Sequence, residues 1–286
     1  MAEMNDMDLI REYADHHSEP AFAALVSRHI PLVYSVARRY VGNAADAQDV
    51  TQAVFIVLAK KAASLRHRRV LTGWLYETTR FTGTRLLRTR TRQQSRDQEA
   101  YMQTTVNEPD SNGVWRQLEP HLEAAMSRLG ERDRSLLALR YFENKTAPEA
   151  AAVLGINESA AHKRSSRALD RLRKILMKRG LVLSAAAIAG AVSANSVQAA
   201  PAGLAAAISA TVMHGSALAA STLTLVEGTL KLMAWIKIKT AVGVTTGVLL
   251  AAATAIWRAW SMRPVTLLSW PSAYSSSDLA DWQLRK

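Results

Sequence analysis

Apolar residues recur at helical spacing through the first part of the chain. They repeat every three or four positions over residues 19–40 and again over residues 44–58, where Asn43 can cap the start of a helix. Pro31 interrupts the first stretch, which predicts either a kink or two abutting helices. Runs that alternate between apolar and polar residues are rare, so the pattern predicts an all-α protein.

Changes in composition divide the chain into segments. Residues 93–112 are polar and rich in turn formers, which predicts a linker between two small helical domains at residues 1–92 and 113–180. Charged residues then become sparse, and residues 181–236 form an Ala-rich apolar extension. This extension admits three interpretations: a second weak membrane span, a hairpin, or a helix that folds back on the two domains.

The apolar helical tail continues with a predicted transmembrane helix at residues 237–260, because residues 240–257 carry no charge. This uncharged run is near the lower limit of the roughly 17–25 residues that a bilayer span requires. Trp235, Trp257 and Trp260 lie at or near its ends, as interfacial aromatic residues do. The cations around it slightly favour a topology that leaves residues 261–286 outside as a short polar tail. A buried or partner-bound apolar helix is the alternative.

The chain is basic, with a formal net charge of +12. Such a charge favours polyanionic partners, either nucleic acid or an anionic membrane surface. The sequence has no cysteine, which excludes disulfides, thiolate zinc sites and cysteine nucleophiles. The acidic, polar N-terminus does not resemble a secretory signal. We therefore expect a cytoplasmic DNA-binding part, anchored to the inner membrane by a single C-terminal helix.

The sequence motifs of common enzyme classes are missing. The seven histidines are scattered, without an H-E-x-x-H pair, and neither a Gly-rich phosphate loop nor a G-x-S-x-G elbow occurs. His16 and His17 are adjacent, but their position predicts an exposed helix end rather than a metal site. We predict that the protein is not an enzyme and uses no metal and no cofactor.

Arginines dominate residues 66–96, with nine of them against the single acid Glu77. Guanidinium groups suit phosphate because they offer several donors in a fixed fork and keep their charge. Trp74, Tyr76 and Phe81 lie among them, and aromatic faces can stack on unpaired bases. The segment predicts a surface that binds and opens DNA strands. Alternatively, Trp74 and Tyr76 are core residues and the arginines form a solvated face.

Residues 146–173 have the pattern of a helix-turn-helix. Thr146 and Glu149 form a capping box, Gly155 suits a tight turn, and Asn157 can cap a second helix. The residues expected to face outward on that helix are Ser159, His162, Lys163, Ser166 and Arg167. A basic second helix of this kind enters the major groove of DNA. An ordinary helical hairpin is the alternative.

Taken together, these residues resemble the extracytoplasmic-function group of the sigma-70 family over roughly residues 18–180. The segment DAQDVTQAVFIVLAKK, residues 46–61, is similar to the family's helix that binds core RNA polymerase. GWLYETTRFTGTRLLRTRTRQ, residues 73–93, is similar to the segment that recognises and melts the minus-ten element. RSLLALRYFENKT, residues 134–146, resembles the lead-in to the helix-turn-helix that reads the minus-thirty-five element.

The resemblance implies a role for particular residues. The core-polymerase-binding residues are Asp46, Asp49, Gln52 and Phe55. The minus-ten DNA residues are Trp74, Tyr76, Arg80, Arg85 and Arg88. The minus-thirty-five DNA residues are Ser159, His162, Lys163, Arg164 and Arg167. The chain departs from the family pattern where Phe81 replaces a frequent Asn and Arg85 a frequent Asp, and His162 is unusual.

The resemblance also implies a function and partners. The implied function is that of a sigma factor, with core RNA polymerase and promoter DNA as partners and an anti-sigma factor as a further partner. The tail is expected to contact the membrane through 237–260 and to restrain the protein until a signal arrives. One alternative is a membrane-anchored helix-turn-helix regulator that acts without replacing a sigma factor. Another is an interaction protein that blocks polymerase without initiating transcription.

Overall fold

The computed structural model describes residues 4–94, 113–215, 221–234 and Thr254, which form helices and short connections with no strand among them. The chain divides into two compact units, Met1–Met233 and Ala234–Lys286. The helices between residues 6 and 233 lie in the first unit. The prediction of an all-α fold is therefore confirmed for the described part of the chain.

Eleven helices are described, and their bounds are as follows. They are α1 Asp6–His16, α2 Glu19–Val41, α3 Ala44–Leu65, α4 Thr72–Gln94, α5 Gly113–Met126, α6 Glu131–Tyr141, α7 Ala147–Leu154, α8 Glu158–Met177, α9 Ala185–Asn195, α10 Leu204–His214 and α11 at residues 221–234.

Helices α1–α4 form the first block around a core of large apolar side chains. Phe22, Leu25, Phe55 and Leu75 are fully buried in it. Pro31 does not divide the chain into two helices, because α2 runs unbroken through it. Apolar residues on both sides of Pro31 are buried, and α2 packs against α3 and α4, which supports a helix that continues through the proline.

Helix α1 was not predicted, because acidic residues lie between its few apolar ones and make their helical spacing hard to recognise in the sequence. Asn5 caps it by accepting hydrogen bonds from the backbone of Met7 and Asp8 at 2.9 and 3.0 Å. Its buried residues are Met7, Leu9, Ile10 and Tyr13. His16 and His17 lie at its C-terminal end and are both exposed; their exposure at a helix end was predicted, although the helix itself was not.

Helices α5–α8 form the second block, which packs directly on the first. Trp115, Leu118 and Leu122 of α5 are buried in the same apolar core as α2 and α3. Helix α6 also packs against α4. The two blocks therefore share one core. The predicted linker at residues 93–112 lies outside the described residues except for the end of α4.

Helices α9–α11 belong to the predicted extension and fold back on the two blocks. Helix α9 packs on α5 and α8, and α10 packs on α2 and α3. The backbone N–H of Gln198 donates to Ser35 Oγ of α2 at 2.6 Å. The described residues of this extension form three helices rather than one, and their packing agrees with the interpretation that folds back on the helical blocks.

The C-terminal predictions mostly fall beyond the described part of the chain. Apart from Thr254, the predicted transmembrane helix at 237–260 lies outside the described residues, and so does the polar tail at 261–286. None of the helices within 4–94, 113–215 and 221–234 is both long enough and apolar enough to cross a bilayer.

Candidate nucleic-acid interface

Local capping contacts shape a helix-turn-helix from α7 and α8. Thr146 Oγ1 accepts from the Glu149 backbone N–H at 3.4 Å, and the Glu149 carboxylate accepts from the Thr146 N–H at 2.6 Å. Gly155 ends α7 at φ +64°, a left-handed conformation that glycine adopts without steric cost. Asn157 Oδ1 then accepts from the backbone N–H of Ala160 at 2.7 Å and begins α8. The predicted capping box, turn and second cap are confirmed.

The two faces of α8 differ in burial and in charge. Its inward residues pack against the rest of the second block and are Ala161, Ser165, Ala168 and Leu172. The residues predicted to face outward are exposed, namely Ser159, His162, Lys163, Ser166 and Arg167. Arg164 is half-buried at the edge. The outer face thus offers cations and hydroxyls to phosphates and to base edges in the major groove.

The arginines predicted to contact the minus-ten element divide into two groups. Arg85 and Arg88 are exposed on α4. Arg80 is half-buried, and its Nε donates to Glu77 Oε2 at 2.8 Å while its guanidinium lies 4.4 Å from the centre of the Phe81 ring. Arg85 and Arg88 can therefore bind phosphate in this arrangement, whereas Arg80 is held within the protein.

Tyr76 and Trp74 of α4 are more buried than residues that stack on DNA bases should be. Tyr76 is fully buried, and its hydroxyl donates to the carboxylate of Glu123 from α5. Burial and the neighbouring Glu123 charge raise the pKa of Tyr76. Trp74 is half-buried and packs against the core. In this arrangement Tyr76 is a core residue that cannot stack on a base, because α5 supplies a hydrogen-bond partner that the local pattern could not reveal.

The residues predicted to bind polymerase lie along α3 and also differ in exposure. Asp46 is only 3% exposed, because it accepts a hydrogen bond from the Asn43 side chain at 2.7 Å and pairs with Arg90. Phe55 is fully buried in the first block. Asp49 and Gln52 are half-buried. The helix therefore offers Asp49 and Gln52, but neither Asp46 nor Phe55, as a surface in this arrangement.

Buried ion pairs between the two blocks were not predicted from the sequence. Arg39 of α2 has a fully buried side chain, and its Nε donates to Glu123 of α5 at 2.7 Å. Arg134 of α6 pairs with Glu77 of α4. The sequence gives one hint of the Arg39–Glu123 pair: Glu123 directly follows the apolar Leu122, at the edge of the buried stripe of α5.

A buried histidine links the N-terminus, α2 and the loop after α6. His29 Nε2 lies 3.0 Å from Asp6 Oδ2, and its Nδ1 lies 3.2 Å from Glu143 Oε1. Burial lowers the pKa of His29, but hydrogen bonding and the two carboxylate charges outweigh it and raise the pKa to about 9. Burial raises the pKa of Asp6, but His29 and Arg28 lower it to about 2. Within the described residues, no group of histidine and carboxylate side chains is arranged to hold a metal ion.

Two protein-family models match the chain, the first over the segment that includes α3 and α4 and the second over the segment that includes the helix-turn-helix. Sigma-70 region 2 matches residues 25–93, which include α3 and most of α4. Sigma-70, region 4 matches residues 125–174, which include the helix-turn-helix.

Two proteins of similar sequence are named as ECF RNA polymerase sigma factors. The chain is 28% identical over 167 residues to the ECF RNA polymerase sigma factor SigE of Mycolicibacterium smegmatis, a match that covers 57% of this chain and 65% of that protein, just under two thirds. It is also 28% identical over 169 residues to the ECF RNA polymerase sigma factor RpoE of Cereibacter sphaeroides, a match that covers 58% of this chain and 92% of that protein. A solved structure of CnrH in complex with the cytosolic domain of CnrY matches at 23% identity and a TM-score of 0.31, covering 60% of this chain and 97% of that one.

Proposed function

Because the chain belongs to the sigma-70 family, in its extracytoplasmic-function group, we propose that it is a sigma factor that binds core RNA polymerase and directs it to promoter DNA. The observation that carries the proposal is the exposed basic face of α8 in a capped helix-turn-helix, in the same chain as the arginine face of α4. A stand-alone duplex-binding protein needs only the first of these surfaces.

The basic face of α8 is proposed to read the minus-thirty-five element. Lys163 and Arg167 lie on its exposed side in the N-terminal half and can donate to base edges and phosphates in the major groove. Ser159 and His162 lie closer to the N-terminus of α8, the part of a recognition helix that points into the groove. Arg164 lies at the border of this face, where a phosphate contact fits its half-buried position.

The arginine face of α4 is proposed to hold the minus-ten element. Arg85 and Arg88 are exposed one turn apart, a spacing that suits two phosphates of one strand. Trp74 is half-buried and offers an aromatic edge, whereas stacking by Tyr76 would require it to leave the core. Arg80 is proposed to position the neighbouring Phe81 through its stacked guanidinium.

The acidic side of α3 is proposed to bind core polymerase through Asp49 and Gln52. Polymerase then links this surface to the two DNA-binding faces. Neither DNA-binding face has to bind tightly alone, because joining them in one complex raises the effective concentration of the second contact. The protein forms and breaks no bonds in this role; it assembles a complex.

Reconstituted transcription tests the proposal. The purified chain is added to core polymerase with fragmented genomic DNA, and run-off products are mapped to find start sites that depend on the chain. Discrete start sites are expected. A chain that stays folded, binds DNA and yet neither associates with polymerase nor yields new start sites contradicts the proposal. That outcome supports the helix-turn-helix regulator instead. Polymerase binding without transcription supports the blocking protein.

The tail is proposed to anchor the protein to the inner membrane and to make its activity depend on a signal. The uncharged run at residues 240–257 and its flanking tryptophans support this proposal. Cell fractionation tests it, and recovery of the full-length chain only in the high-speed supernatant contradicts it. An anti-sigma partner stays a prediction, which affinity purification of the intact chain from its host can test.

A further inference from the structure

Helices α10 and α11, which we call the covering helices, pack over the face of the first block that includes α3. Ile208 of α10 is fully buried, and α10 lies against α2 and α3. Leu225 and Val226 of α11 are 3% and 1% exposed and belong to the same apolar core as α2 and α3. The extension therefore contributes to the packing of the first block.

The covering helices also contact the residues proposed to bind polymerase. Gln52 Nε2 donates to Thr211 Oγ1 of α10 at 3.5 Å, and Ser221 Oγ at the start of α11 donates to Asp49 Oδ2 at 3.4 Å. These are the half-exposed members of the proposed polymerase-binding surface. Core polymerase and the covering helices cannot both occupy this surface.

Helix α11 extends this contact to the helix proposed to hold the minus-ten element. Thr229 Oγ1 lies 3.1 Å from Thr82 Oγ1 of α4, and both residues are buried. Gly228 lies against the Arg85 guanidinium so closely that a Cβ would overlap it. A single segment of the chain thus touches both the proposed polymerase-binding helix and a proposed DNA-binding arginine.

The chemistry of this contact suits a segment that has to detach. Its buried surface includes hydroxyl-bearing residues as well as aliphatic ones, with Ser209, Thr222 and Thr229 buried beside Leu225 and Val226. The Thr222 hydroxyl is buried without a hydrogen-bond partner in the described structure. A buried hydroxyl without a partner weakens an interface, because it loses its bonds to water.

We propose that α10 and α11 are a built-in inhibitor that occupies the polymerase-binding face, so that polymerase binds only when they detach. The inference rests on the proposed function of α3. Because the inhibitor is part of the same chain, it competes at a high effective concentration, and the observed affinity for polymerase falls with the fraction of detached molecules.

A disulfide across the interface tests this inference in the full-length protein. The chain has no cysteine, so Thr82→Cys with Thr229→Cys creates the only pair that can oxidise. The two hydroxyl oxygens are 3.1 Å apart, which places sulfurs there within reach of an S–S bond of about 2.05 Å. The variant is oxidised and freed of oxidant before core polymerase is added, and the reduced form is the matched control. The oxidised form is expected to bind polymerase at least ~10-fold more weakly than the reduced form.

A second pair of variants releases the covering helices instead of locking them. Val226→Asp places a charge in the buried contact, while Leu223→Asp places the same charge on the exposed side of α11, where Leu223 is 43% exposed. Val226→Asp is expected to bind polymerase at least ~10-fold more tightly than the parent chain, and Leu223→Asp within about twofold of it. Circular dichroism checks that both variants keep their helices.

The outcomes separate this inference from the proposed function. If the oxidised, reduced and Val226→Asp forms bind polymerase equally well, with the disulfide verified by mass, the built-in inhibitor is disproved while the sigma-factor proposal stands. If none of these folded forms binds polymerase, the proposed function fails, and this inference fails with it. Weakening by the disulfide together with tightening by Val226→Asp supports both.

Discussion

Helix α8 presents its basic residues to solvent, whereas α3 buries two of the four residues predicted to bind polymerase, Asp46 and Phe55, and leaves Asp49 and Gln52 half-buried. The face of α8 is set by contacts within a short stretch of chain, from the Thr146 cap to the Asn157 cap. The face of α3 is set by distant residues, with Arg90 on Asp46 and Ser221 beside Asp49. The local caps thus fix where α8 begins, whereas the surroundings of Asp46 and Asp49 on α3 include contacts that distant segments supply.

The largest expected effect comes from breaking the contact between the two blocks at Glu123. Glu123→Leu leaves the fully buried Arg39 side chain without its carboxylate, and an uncompensated buried charge costs about 3–5 kcal/mol. Urea unfolding followed by circular dichroism should show this loss. Gln117→Leu, at an exposed position of the same helix, is the control and should change stability by less than about 0.5 kcal/mol. Equal stability of the two variants contradicts the importance of the ion pair.

A pH effect of similar size is expected from His29. Its folded pKa of about 9 lies above the ordinary value of 6.5, so the protonated ring stabilises the fold fully below pH 6.5 and loses this contribution as pH rises through 9. The difference corresponds to about 3 kcal/mol. Unfolding free energies of the parent chain and His29→Gln should differ most at pH 6 and converge near pH 10. A difference that is constant between pH 6 and pH 10 shows that folding does not raise the pKa of His29.

A smaller effect is expected on DNA binding when the face of α8 is altered. Lys163→Ala and Arg167→Ala should each weaken binding to minus-thirty-five DNA by about 1–3 kcal/mol, because each removes a contact to a base or phosphate. Fluorescence anisotropy with the purified chain or its polymerase complex measures this. Lys174→Ala removes the same charge from an exposed position far along α8 and should have little effect. Equal losses at all three positions would indicate non-specific charge attraction.

The smallest expected effect is on polymerase binding by α3. Asp49→Lys reverses the charge of a half-buried residue and should weaken binding to core polymerase by about tenfold, or 1.4 kcal/mol. Lys60→Glu reverses an exposed charge near the other end of α3 and serves as the control. Both affinities are best measured in the Val226→Asp background, in which the covering helices no longer mask the effect. Unchanged binding by Asp49→Lys there removes Asp49 from the interface.

The sequence alone determined the features that depend on near neighbours in the chain. Capping residues and apolar spacing define helix ends and faces within a few turns, so the helix-turn-helix and the buried side of α3 were predictable. Helix α1 was missed because its apolar stripe lies among acids. Of the two outcomes predicted at Pro31, two abutting helices is wrong, because α2 is continuous through it.

Only the tertiary structure decided which polar residues are buried and which of the residues proposed to bind polymerase are covered. Tyr76 is a core residue whose hydroxyl donates to Glu123 of α5, and the half-buried Asp49 accepts from Ser221 of α11. These partners are separated by 47 and 172 positions in the sequence. No local pattern encodes such pairs, because burial and charge pairing depend on the summed packing of whole helices rather than on the spacing of residues within one.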